Sequence, residues 1–256
     1  MTASSGPVDM GELIERAHLL AEKFHGKISQ ASPGLDLYRK LMAEEDGGRG
    51  KIVTAEDTAV ELGAPGQRSV KAVLHTREKN LVRDNQFSLI GPDFDQSTGT
   101  SRPYAQLILL AIDKTASLDP WSLESLQYFP GVLPGLMARM VPGRLWLRAS
   151  RDAVAAGLNF SIMAAAIRNA GFGQLPQLLG VESIFVTGSR EEVEPFEGLA
   201  SEAKILAGVH QRIAVGKNGD YECEELNCGN CEEKPVCDMI REVKAIRRRT
   251  ERDLKA

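Results

Sequence analysis

Four cysteines supply the residues most able to do chemistry in this sequence. They stand at Cys223, Cys228, Cys231 and Cys237, and no other cysteine occurs in the 256 residues. Their spacing is C-x4-C-x2-C-x5-C. A disulfide framework spreads its cysteines to staple distant segments. Four thiols crowded onto one stretch instead suit a single tetrahedral metal ion or a cubane cluster. Gly229 allows a tight turn between Cys228 and Cys231, and Pro235 stiffens the return to Cys237. Structural zinc commonly uses two C-x2-4-C knuckles separated by a longer insert, and only one C-x2-C is present here. Iron–sulfur ligation uses closer runs such as C-x4-C-x2-C. The first three cysteines match that form, while the fourth follows too soon for a plant-type [2Fe–2S] site. The spacing therefore favours a [4Fe–4S] cluster on Cys223, Cys228, Cys231 and Cys237, with zinc as the alternative at the same four thiolates.

The surroundings of these cysteines are charged. Asp220, Glu222, Glu224, Glu225, Glu232 and Glu233 lie between Lys217 and Cys237, against two lysines. Negative charge beside a cluster disfavours an added electron and lowers its reduction potential; the same acids equally suit a solvated loop face. A helix is expected over Asp238–Leu254, with Met239, Ile240, Val243 and Ile246 as its apolar stripe. Its outer face carries Arg241, Lys244, Arg247, Arg248, Arg249 and Arg252. The plain reading of that face is a solvated basic helix end favoured by the macrodipole. The sharper one is a docking surface for an acidic partner, or for an anion such as a coenzyme A phosphate.

Other chemistry finds little support. No G-x4-G-K-[ST] phosphate loop and no H-E-x-x-H pair is present. Gly171-Phe172-Gly173 lacks the third glycine of a dinucleotide fingerprint. The four histidines, His18, His25, His75 and His210, are scattered, and His210 falls on an apolar helical stripe that suits packing. Trp146 and Arg148 share one face of an expected strand, where sheet packing is favoured over a ligand-stacking role. Asp93 and Asp95 follow Gly91-Pro92 and suit a turn more than catalysis. No catalytic residue is assigned.

Composition sets the class. Apolar residues make up 43% and charged residues 26%, the balance of an ordinary globular chain with room for one large domain or two small ones. A net charge of −4 argues against a nucleic-acid binder. No apolar run is long enough for a membrane span, and the first residues carry neither a basic start nor an apolar stretch. A cytoplasmic location is expected.

The pattern along the chain then gives the elements. Asp9 and Glu12 open a helix with Leu13, Ala17, Leu20 and Phe24 on one face, stopped at Gly26, and a second helix covers Leu35–Glu44. Gly47–Gly50 reads as a linker. Strands are expected at Thr58–Leu62, over the alternating run from Ser69 to His75, at Gln86–Ile90 and at Tyr104–Ile112. The last is apolar enough to be buried on both faces. Asp119-Pro120 caps helical stretches over Trp121–Tyr128 and Val132–Met140. A strand at Arg144–Ala149, a short helix capped by Ser150, a helix over Phe160–Ala170 and a strand at Val181–Val186 follow. Ser189 and Glu192 open a last helix, whose stripe is Leu199, Ala203, Leu206, His210 and Ile213. The fold class is α/β, a mixed β-sheet packed by helices. An N-terminal helical segment covers residues 1–50, the α/β domain 51–216, and the cysteine loop with its terminal helix 217–256.

Three segments resemble a known family. Asp57-Thr-Ala-Val-Glu-Leu-Gly-Ala-Pro is similar to the VELGGP stretch of the CO-methylating acetyl-CoA synthase family, the catalytic subunit of the CO dehydrogenase/acetyl-CoA synthase system. Leu89-Ile-Gly-Pro-Asp-Phe resembles its IGPDI. The run from Leu145 to Phe160, Leu-Trp-Leu-Arg-Ala-Ser-Arg-Asp-Ala-Val-Ala-Ala-Gly-Leu-Asn-Phe, resembles its WxRxSKxAVExGLxF element. The cysteines come where that family's cluster-binding segment begins, so the resemblance extends from Asp57 to Cys237. It implies an α/β domain with a [4Fe–4S] cluster, part of a protein complex in anaerobic one-carbon or acyl-CoA metabolism. In the family the cluster is bridged to a dinickel unit, one nickel being held by Cys-Gly-Cys. That motif is absent here. The sequence is thus expected to be a short, divergent member without the nickel motif, a cluster-binding redox or accessory subunit. Two alternatives stand beside this reading. One is an enzyme acting on an acyl-CoA or one-carbon unit at a related metal site; the other is a zinc-stabilised interaction module without catalysis.

Overall fold

The computed structural model describes residues 9–32, 34–46, 52–97, 99–113, 123, 126, 133–141, 144–175, 177–207, 213–215 and 221–223. Two compact units make up the chain, Met1–Val209 and His210–Ala256. In the first, the elements in order are α1 (Met10–Lys23), β1 (Lys27–Gln30), α2 (Leu35–Asp46), β2 (Thr58–Leu62), β3 (Ser69–Thr76), β4 (Gln86–Ile90), β5 (Thr100–Arg102) and β6 (Tyr104–Ile112). Then come β7 (Leu136–Val141), β8 (Arg144–Ser150), α3 (Arg151–Ala155), α4 (Phe160–Ala166), β9 (Leu178–Val186) and α5 (Arg190–Leu206). The second unit contributes β10 (Ile213–Val215) and β11 (Tyr221–Cys223).

The strand β6 organises the first unit. All nine of its residues are buried, as its nearly unbroken apolar run requires of a strand covered on both faces. Ala105, Leu107, Leu109 and Ala111 look toward one layer, and Ile108, Leu110 and Ile112 toward another. β6 lies inside a five-stranded mixed sheet of order β1-β4-β9-β6-β3. It runs parallel to β3 and antiparallel to β9, while β9 runs parallel to β4.

The helices α1 and α5 cover the first face. In α1 the Asp9 carboxylate accepts the Glu12 N–H at 2.9 Å, satisfying one free donor at the helix start. Leu13, Ile14, Ala17 and Ala21 then face inward. α5 opens with the full Ser189–Glu192 capping box. It buries Val193, Phe196, Leu199, Ala200 and Ala203 against the same layer. Arg16 clamps Glu202 across the two helices at 2.6 and 2.9 Å.

The second face meets α4 and a four-stranded sheet of order β5-β2-β8-β7. Phe160, the first residue of α4, stacks on Phe94 at 4.6 Å and packs on Phe185 of β9 at 4.8 Å. Such ring pairs each add about 0.5–1.5 kcal/mol beyond area burial. The two sheets are stitched at one residue. The Ser69 hydroxyl of β3 donates to the Leu145 carbonyl of β8 at 2.7 Å and accepts the Leu145 N–H at 2.9 Å.

Two expectations are corrected. Of the helix expected over Val132–Met140, the described residues from Leu133 onward are not helical, because Leu136–Val141 is the strand β7, paired antiparallel with β8. Leu136, Met137, Ala138 and Met140 are all good helix formers, and pairing with β8 overrides that preference. The helical stripe drawn from Leu199 to Ile213 also stops short. α5 ends at Leu206, which is 45% exposed, and Ile213 begins β10. The expected helix over Trp121–Tyr128 is described only at Leu123 and Leu126, both helical. His210, the Gly47–Gly50 linker and the terminal helix over Asp238–Leu254 lie outside the described residues.

Candidate functional site

Of the four cysteines, the structure describes Cys223 alone. It closes β11, opposite Ile213 of β10, in an antiparallel pair whose other end joins Val215 to Tyr221. Cys228, Cys231 and Cys237 lie outside the described residues. The donor set itself is four thiolates within fifteen positions, from 223 to 237, and that chemistry fits an iron–sulfur cluster or a zinc ion. Among the described residues, no group of three or more His, Cys, Asp or Glu side chains is placed to hold a metal. Among them, too, no helix is long and apolar enough to cross a membrane.

The three family-like segments converge on backbone geometry. In the first, Gly63 has φ +65°, and a Cβ there would lie 2.4 Å from the Leu145 carbonyl oxygen. In the second, Gly91 has φ +97°, and a Cβ would lie 2.5 Å from the Gly188 nitrogen. Only glycine fits such contacts at a left-handed φ. Thr187 locks the same crossing, its N–H donating to the Ile90 carbonyl at 2.8 Å and its hydroxyl to Pro92 at 2.7 Å. In the third, Ser150 caps α3 through the Ala153 N–H, and Asn159 caps α4 through the Ile162 N–H. Asp93 joins the second and third segments. One carboxylate oxygen accepts the Phe94 N–H at 2.7 Å and the Phe160 N–H at 3.1 Å. Burial pushes the Asp93 carboxyl above the ordinary range, against the pull of those two N–H groups. The expected turn role of Asp93 thus extends to holding the start of α4.

Trp146 and Arg148 do share a face of β8, as the alternation of that strand implies. Their partner, Glu61 of β2, was not singled out from the sequence. Glu61 Oε1 accepts the Trp146 indole N–H at 3.0 Å and the Arg148 Nε–H at 2.6 Å. The Arg148 guanidinium sits 4.5 Å from the Trp146 ring centroid, within cation–π range. Strand register alone sets Glu61 opposite Arg148, and register is not legible without the partner strand.

A second carboxylate also escaped sequence reading. Glu182 lies within β9 and is fully buried. It accepts the Arg83 backbone N–H at 2.8 Å, and the His18 Nε2 of α1 lies 3.1 Å from both of its oxygens. The Arg83 guanidinium stands 3.8 Å away. A buried carboxylate so satisfied fixes α1 on the sheet; it holds no position open for a substrate.

Residues 47–193 match the family described as the CO dehydrogenase/acetyl-CoA synthase complex beta subunit. None of the curated proteins matches the chain significantly.

Proposed function

The chain belongs to the CO dehydrogenase/acetyl-CoA synthase complex beta subunit family, and on that premise we propose that it is a cluster-binding redox or accessory subunit of such a complex. Cys223, Cys228, Cys231 and Cys237 would hold a [4Fe–4S] cluster. The single observation that carries this reading is the confinement of every cysteine to positions 223–237 at C-x4-C-x2-C-x5-C spacing. When bound, such a cluster stores and passes one electron. The protein's own part is to bring the thiols together, and the β10–β11 pair supports it by fixing the backbone that enters the first ligand. The acids of the loop would hold the potential low. The missing Cys-Gly-Cys argues against assembling an acyl group on nickel. A coenzyme A-type ligand on the basic terminal segment belongs to the same proposal.

The test is anaerobic purification with metal and acid-labile sulfide analysis and a visible spectrum. Iron and sulfide are expected in equal amounts, about four of each per chain. Cys231→Ala should abolish or convert the cluster spectrum. Stoichiometric zinc without sulfide overturns the cluster and leaves the zinc-stabilised module; an unchanged Cys231→Ala spectrum overturns the ligand assignment. Nickel in the same analysis turns the reading toward an enzyme.

A further inference from the structure

The outer face of the four-stranded sheet carries a feature that the cysteines do not explain. On β8, Arg144, Trp146 and Arg148 alternate with the buried Leu145, Leu147 and Ala149. Register sets Arg139 of β7 opposite Trp146. The Arg139 guanidinium lies 6.0 Å from the Trp146 ring centroid and that of Arg148 4.5 Å. Arg139 is exposed, and no ion pair to it is present among the described residues. Arg144 donates to the Gln67 carbonyl, a neutral acceptor that leaves its charge in place. These side chains set three guanidinium charges against one carboxylate, that of Glu61, on a chain of net charge −4.

The chemistry of the face selects its ligand. The Trp146 indole N–H is already given to Glu61, and Arg148 covers its ring. A planar ligand therefore finds that ring already engaged. What the face presents is positive charge on side chains held in place by Glu61 and the sheet. Arg148 keeps one guanidinium orientation because its Nε–H is tied down. Arginine and tryptophan fixed in advance lose little freedom on association, which is why they dominate the energetic centres of protein interfaces.

We propose that this face docks an acidic protein surface, with Arg139 and Arg148 as its carboxylate-pairing groups and Trp146 as their apolar support. The proposal goes beyond the cluster reading and does not depend on it, since none of these residues belongs to the cysteine segment.

The test uses the full chain and a fluorescein-labelled, glutamate-rich peptide, followed by anisotropy at about 50 mM salt. Saturable binding is expected, weakened at least about threefold by Arg139→Glu and by raising the salt to about 200 mM. Arg139→Gln, which keeps the stem and removes only the charge, should give a smaller loss. Lys79→Glu, the same charge change at an exposed residue between β3 and β4, should leave binding unchanged. Absence of saturable binding overturns the proposal, and so does an equal loss in Lys79→Glu. Displacement of the peptide by adenosine 3′,5′-bisphosphate at lower concentration than by unlabelled peptide also overturns it, because the face would then be a small-anion site.

Discussion

Replacing Gly91 by alanine should cost this protein a large share of its stability, and the structure divides that cost into two parts. The first is conformational. Gly91 has φ +97°, and an L-residue held in a left-handed backbone loses about 1–2 kcal/mol. The second is steric. The new Cβ would stand 2.5 Å from the Gly188 nitrogen, 2.8 Å from the Gly188 Cα and 2.8 Å from the Thr187 hydroxyl. These atoms cannot withdraw freely, because Thr187 is bonded to the carbonyls of Ile90 and Pro92 on either side of Gly91. Forcing them apart is an overpacking cost of about 1–3 kcal/mol. The sum, about 2–5 kcal/mol, is a large part of the ~5–15 kcal/mol that holds a typical domain folded. Gly66 supplies the control. Its φ is +92°, and an added Cβ meets nothing within 4 Å, so Gly66→Ala should show the conformational part alone, about 1–2 kcal/mol. Any gain from stiffening the unfolded chain is shared by both variants and cancels in their difference. Urea unfolding followed by far-ultraviolet circular dichroism reads both. Equal losses in the two variants would refute the claim that the approach to Gly188 requires glycine at position 91.

Two further outcomes follow from the carboxylates. Glu182→Gln should destabilise the fold by about 1.5–3 kcal/mol, because a buried charge-assisted network is broken while its donors stay in place. Combined with His18→Gln the loss should be less than additive, and strictly additive urea midpoints would separate the two residues. Asp93→Asn should do the opposite at neutral pH. Its carboxyl is raised by burial, so the folded state binds its proton more readily than the unfolded chain does. The penalty on the ionised form is therefore full above the folded value, and it fades as pH falls toward the ordinary value of 3.8. Asparagine keeps an oxygen for the Phe94 and Phe160 N–H groups. It should raise the thermal midpoint at pH 7, with a gain that shrinks as pH falls toward 3.8; a gain that grows toward acid would contradict the burial argument.

The strands that could be read from sequence were those whose pattern is set by burial. Thr58–Leu62, Gln86–Ile90 and Tyr104–Ile112 have the bounds that their apolar runs suggest. The helix starts were legible too, because Asp9, Ser150 and Ser189 act through bonds to residues three places ahead. What escaped depends on partners far along the chain. β1 is four residues of Lys-Ile-Ser-Gln with three of them exposed, and only its pairing with β4 makes it a strand. β7 looks helical until β8 is beside it. The same limit applies at the sites. Glu61 and Glu182 are ordinary glutamates in the sequence. Their roles come from side chains 85 and 164 positions away. The expectation at the cysteines rests on spacing alone, and only Cys223 lies among the described residues.

The place of β9 in the five-stranded sheet has a consequence for how the protein is made. β9 stands between β4 and β6, and it is the last of the five to be synthesised. Until residues 178–186 leave the ribosome, β1 with β4 and β3 with β6 are two ribbons with no ladder between them. Closure then depends on contacts between distant parts of the chain, the kind that slow folding and prolong the exposure of apolar strands. The four cysteines follow β9 in the chain, so the last strand to join the sheet is also the final piece of it to emerge before they do.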